Sequence, residues 1–89
     1  MNNLKQIPKK ITKEDVRYKI FAGESISMIN RAIEVAQKFV QKDNYNKFCK
    51  IVSFREFKYV VAQLDNPRDY EEVLTFEEIK KLQKEITND

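Results

Sequence analysis

Apolar and polar positions from Ser27 to Lys42 recur with a helical period. Stepped at about 100° per residue, Met28, Ile29, Ala32, Ile33, Val35, Ala36, Phe39 and Val40 gather on one arc. Asn30, Arg31, Glu34, Gln37, Lys38, Gln41 and Lys42 occupy the opposite arc. That division predicts a helix over 27–42 with one buried face, capped by Ser25 or Ser27 and stopped by the turn-forming KDNYN.

Two further stripes follow. SFRE, Ser53 through Glu56, is a capping-box pattern, and Phe54, Phe57, Val60, Val61 and Leu64 recur after it at helical spacing, which predicts a helix over 54–64. Phe57, Tyr59 and Val61 also alternate, which keeps a strand as the rival there. DNPRD reads as a turn. TFEE then repeats the capping box, and Phe76, Ile79, Leu82 and Ile86 predict a third helix over 76–86. Leu74 and Ile79 sit where a hydrophobic staple would close, and Glu77 with Lys81 forms a favourable pair one turn apart. The predicted core is Ile29, Ile33, Ala36, Val40, Phe57, Val61, Leu64, Phe76, Ile79 and Leu82.

Residues 11–26 have two readings. Thr12 can cap a helix through KEDVRYKIFA, with Gly23 as its left-handed stop. Helix 27–42 would then be the second half of a helix-turn-helix. Yet Val16, Tyr18, Ile20, Phe21 and Ala22 do not share one side of a helical wheel. Val16, Tyr18 and Ile20 alternate with Arg17 and Lys19, which fits a half-buried strand better. Phe48–Val52 is β-branched enough for a second short strand or for the end of a packed turn. The expected fold is a mostly α, single-domain helical bundle with room for one or two short strands; α+β is the alternative. Residues 1–10 are expected to form a flexible basic arm, with Leu4 and Ile7 able to dock, and 11–89 to form the domain.

Composition limits the chemistry. The 89 residues support one core, and 42% hydrophobic with 35% charged residues is a globular balance. The chain has no histidine and one glycine, which removes the usual neutral-pH base and any glycine-rich phosphate loop. Cys49 is the one cysteine. Its place in FCKIV predicts a buried, inert thiol, and no intrachain disulfide or structural zinc site is expected. Glu71–Glu72 and Glu77–Glu78 are adjacent pairs, which a helix would splay apart. No enzyme activity, cofactor, metal or small-molecule substrate is expected. The N-terminus lacks a secretory h-region and no run is long and apolar enough to span a membrane, so cytoplasmic residence is the expectation.

Charge narrows the function classes to two. Residues 1–50 carry eleven Lys/Arg against five Asp/Glu, a net +6; residues 51–89 carry six against nine, a net −3. The first reading is a nucleic-acid-binding regulator, of transcription for example. Lys9, Lys10, Lys13, Arg31, Lys38 and Lys42 would contact phosphates of DNA or RNA, and Asn30 and Gln37 would sample base edges. The alternative is a protein-binding accessory or inhibitor of phage or mobile-element type, or a self-associating one. It would mask a larger partner through apolar borders such as Ile26 and Tyr59. Tyr18, Tyr45 and Tyr59 are expected at the rim of the core rather than on a base.

Overall fold

Four short polar side chains start the four helices. Thr12 Oγ1 accepts from Asp15 N at 3.1 Å, Ser25 Oγ from Met28 N at 3.4 Å, Ser53 Oγ from Glu56 N at 3.1 Å and Thr75 Oγ1 from Glu78 N at 3.2 Å. In three of them the carboxylate three residues on accepts the capping residue's own amide, the full reciprocal box. Each box satisfies two amides that a helix start would otherwise leave unpaired.

The computed structural model describes residues 4–87. Strand β1 (Ile11–Thr12) runs into helix α1 (Lys13–Asp15), which widens into a π-helical turn at Val16–Ile20. Helix α2 (Ile26–Gln41) ends in a 3-10 turn at Lys42–Asn44; strand β2 (Ile51–Val52) precedes α3 (Phe54–Leu64), and α4 (Phe76–Thr87) follows. The described residues form a small, mostly α-helical single-domain bundle. Helix α3 packs on α2 along one side and on α4 along the other. The strands pair antiparallel, Ile11 opposite Val52 and Thr12 opposite Ile51, far too short to make a sheet protein.

The strand reading of 16–20 is overturned. Phe21 N donates to Val16 O at 3.0 Å, an i→i+5 bond that widens the turn. The wider turn brings Val16, Ile20 and Phe21 together into the core, a grouping that an α-helical wheel separates. Tyr18 faces out, 63% exposed. Gly23 then adopts φ +96°; a Cβ there would meet nothing within 4 Å, so glycine answers a conformational need rather than a spatial one.

The core holds Ile29, Ala32, Ile33 and Ala36 of α2 and Phe57, Val60, Val61 and Ala62 of α3, closed by Ile11, Val52 and Leu74. Val40, Leu64, Ile79 and Leu82 are partly buried against it. Four side chains depart from the expected pattern. Phe76, predicted in the core, is 70% exposed with Lys80 Nζ 4.5 Å from its ring centre. Met28, on the apolar arc, is exposed in the first turn of α2, while Gln37, on the polar arc, is fully buried. Tyr59 is buried rather than at the rim, its ring 4.8 Å from that of Phe39.

The N-terminal segment lies against the body at Lys5 and Ile7. Lys5 N donates to Asp69 O at 3.0 Å, Lys5 O accepts from Glu71 N at 2.9 Å, and Ile7 packs on the core. Residues 1–3 of the expected arm lie outside the described residues, as do 88–89 at the far end.

Candidate nucleic-acid interface

The two-residue strand pair positions the site. Because β1 pairs with β2, α1 starts beside the segment that precedes β2, and Lys13 N donates to Lys50 O at 2.9 Å. Lys13 Nζ reaches across to Lys47 O at 3.1 Å. Between the two segments lies an open cleft of about 440 Å³. Its walls carry the cations Lys13 and Arg17 from the α1 side and Lys47 and Lys50 from the other, against the single carboxylate of Glu14. Thr12, Phe48 and Cys49 complete the lining.

The far wall is held by hydrogen bonds that run back into the core. Buried Glu56 accepts from Gln37 Nε2 at 3.2 Å through one oxygen and from Gln41 Nε2 at 2.8 Å through the other. Gln41 Oε1 in turn accepts from Asn46 N at 3.1 Å, and Asn46 Oδ1 from Phe48 N at 2.9 Å. Gln37 Nε2 also donates to Ile51 O at 3.0 Å. A buried carboxylate with three donors is well satisfied, so this network fixes the 46–51 segment rather than leaving a reactive acid.

Helix α2 borders the cleft. Arg17 Nε donates to Asn30 Oδ1 at 2.6 Å, and Arg31 stands exposed on the next position. The Lys38 ammonium, 2.9 Å from Glu34, holds that carboxyl below its usual value, with smaller help from Arg31 and Lys13; the same pairing raises Lys38. Lys13, Arg31 and Lys38 thus share one field around Glu34.

The predicted contact residues divide. Lys13 lines the cleft. Lys9, Lys10, Arg31 and Lys42 are exposed, Lys42 with φ 53° where α2 ends. Lys38 is exposed but paired with Glu34 and lies 5.5 Å from the Tyr45 ring centre. Gln37 is withdrawn from any surface role, because the 46–52 segment and the start of α3 cover it. Asn30 is exposed with its oxygen engaged by Arg17. Helix, turn and helix do follow one another over 13–41, but the amide-bearing arc expected to read bases is mostly committed internally.

Arg17, Lys47, Phe48 and Lys50 were not among the predicted contacts. The available signal was KFCK itself, an aromatic between two lysines; read as the start of an apolar run, it suggested burial. Phe48 is instead 78% exposed and Ile51 is exposed too, with Val52 alone fully buried. Cys49, expected inside the core, is half-buried with its Sγ 3.5 Å from Ile51 O. One carboxylate and one thiol are not a metal-ligand set, and no group of three such ligands occurs among the described residues. No described helix is long and apolar enough to cross a membrane.

A second cleft, of about 470 Å³, lies between residues 19–24 and 64–69. It mixes Lys19 and Arg68 with Glu24, Asp65 and Asp69, so its field has no single sign. Comparison with family models, curated proteins and solved structures returns no match.

Proposed function

We propose that this protein is a small non-enzymatic regulator that binds nucleic acid through the phosphate backbone. The observation that carries the reading is the four-to-one excess of cations over carboxylates in the cleft of Lys13, Arg17, Lys47 and Lys50. Like charges held together repel one another, and an anion with several oxygens relieves that repulsion. Arg31, with Lys9 and Lys10 on the segment leading into β1, extends the cationic surface available to a polyanion. With Gln37 buried, binding is expected to be governed by phosphate rather than base edges.

Fluorescence anisotropy against mixed pools of labelled duplex and single strands tests this. Affinity should fall steeply with salt, by a log–log slope of roughly −0.7 to −0.9 per phosphate neutralised. The double variant Lys13→Ala/Arg17→Ala should weaken binding to every sequence and flatten that slope. Absence of binding even at low salt ends the reading. A saturable, nuclease-resistant complex with another protein would then favour the masking role, for which exposed Phe76 and Phe54 offer apolar contact.

A further inference from the structure

We propose that the cleft takes a single strand of nucleic acid, one base stacked on Phe48 and the flanking phosphates on Lys13, Arg17, Lys47 and Lys50. This deepens, and rests on, the phosphate-binding reading above.

Phe48 is the most exposed large hydrophobic side chain among the described residues. Exposed apolar residues are common singly and need no partner. Phe48 differs in its setting. It forms part of a cleft whose charges all but one are positive, where no apolar protein surface would be favoured to dock without stranding buried cations. Lys47 Nζ lies over one face of the ring, 5.2 Å from its centre, and so sets a cation within reach of a phosphate flanking a base stacked on the other face. A nucleotide meets both demands, presenting a flat π-face and an anion a few ångströms away.

The ring's backbone is also preorganised. Asn46 accepts from Phe48 N through its side chain and from Cys49 N through its carbonyl, at 2.9 and 3.1 Å. Asn46 is itself held through Gln41 to buried Glu56. A platform fixed in this way loses little conformational freedom on binding. A volume of about 440 Å³ lies within the range that accommodates one ligand-sized group.

Duplex is the poorer fit. Its bases are stacked on one another, so Phe48 gains nothing unless a base is extruded. The amides that would read a groove are poorly placed to do so, Gln37 being buried with its nitrogen on Glu56 and Ile51 and the Asn30 oxygen being held by Arg17. Stacking and phosphate contact tolerate every base, and sequence preference should be weak.

The test measures anisotropy of oligothymidylate, oligouridylate and a mixed duplex with the full chain, and of the same probes with Phe48→Ala and Phe48→Trp. Either oligonucleotide should bind more tightly than duplex. Phe48→Ala should weaken single-strand binding roughly 5- to 100-fold, leave duplex binding unchanged, and be rescued by Phe48→Trp. Bound oligonucleotide should also slow alkylation of Cys49, which lines the cleft. Duplex binding as tight as single-strand binding, with Phe48→Ala neutral, overturns the stacking proposal while leaving phosphate binding intact. Equal competition by polyglutamate overturns it too, by reducing the cleft to a general anion site. No binding of any probe overturns both readings.

Discussion

Helices α3 and α4 begin with the same local device and end in different environments. Each opens on a hydroxyl and a glutamate in a reciprocal box, and each carries one apolar stripe. Yet α3 buries Glu56, Phe57, Tyr59, Val60, Val61 and Ala62, whereas α4 buries no residue fully. The cause is position. Helix α3 packs between α2 and α4, so two faces are covered; α4 has α3 as its main helical neighbour. Its stripe of Ile79, Leu82 and Ile86 is half-covered, and Gln83 Nε2 to Ala62 O at 2.7 Å fastens it from the side. A capping box and a stripe specify where a helix starts and which side faces inward. They do not specify how many neighbours it will have.

The largest expected difference comes from cutting each stripe. Phe57→Ala removes a fully buried ring and should cost about 3–5 kcal/mol, a large share of the 5–15 kcal/mol that holds a typical domain. Leu82→Ala should fall below the roughly 2–5 kcal/mol of a fully buried leucine, because that side chain is only partly buried. Urea unfolding measures both. Native-state hydrogen exchange should correspondingly open α4 at lower free energy than α3. Equal losses at the two positions would show that α4 is as integral to the core as α3.

The same distinction separates what the sequence discloses from what it does not. The three long helices and their caps were readable because a cap, a stripe and a stop lie within one short stretch. Depth was not. Phe76 continues the stripe of α4 but sits in its first turn, and there it meets Lys80 instead of the core. Gln37 reads as surface on the wheel of α2, and the return of the 46–52 segment with the start of α3 buries it. The π-helical turn at Val16–Ile20 is hidden in the sequence because two-residue alternation and a scattered α-wheel are what a wider turn looks like. For the cleft, the charge excess of residues 1–50 was visible, but its focus was not. Lys13 and Arg17 meet Lys47 and Lys50 through the pairing of Ile11 with Val52, a contact between residues far apart in the chain.

The caps give a smaller, sharper contrast. Ser53→Ala and Thr75→Ala each delete one hydroxyl acceptor and should each cost about 0.5–2 kcal/mol without changing the fold. Ser53 should lie towards the upper end. Ser53 is itself exposed, but its partner Glu56 is buried and also held by Gln37 and Gln41, so fewer waters reach the amide that loses its acceptor. Thr75 and Glu78 are exposed, and water can substitute there. Urea midpoints of the two variants settle the order. A loss near zero at either site would remove that hydroxyl from the account of its helix.

The smallest expected effect isolates the electrostatic part of the start of α4. The Thr75 amide, then its hydroxyl, hold the Glu78 carboxyl below its ordinary value of 4.5, with Lys58 and Lys81 assisting and slight burial opposing. A carboxyl lowered by folding binds fewer protons in the native state than in the unfolded one as the solution is acidified. Its contribution is therefore present above 4.5 and disappears as pH falls through the lower native value. Glu78→Gln keeps an oxygen that can accept from Thr75 N but carries no charge to titrate. The wild-type chain should be slightly more stable than the variant at neutral pH, and the gap should close below 4.5. Added salt should narrow it at neutral pH as well, by screening the helix end and both lysines. Paired urea titrations across that range read the gap directly. A gap that stays constant from neutral to acid would mean that Glu78 acts through its shape and hydrogen bond alone, and that the exposed cap of α4 has no ionic share.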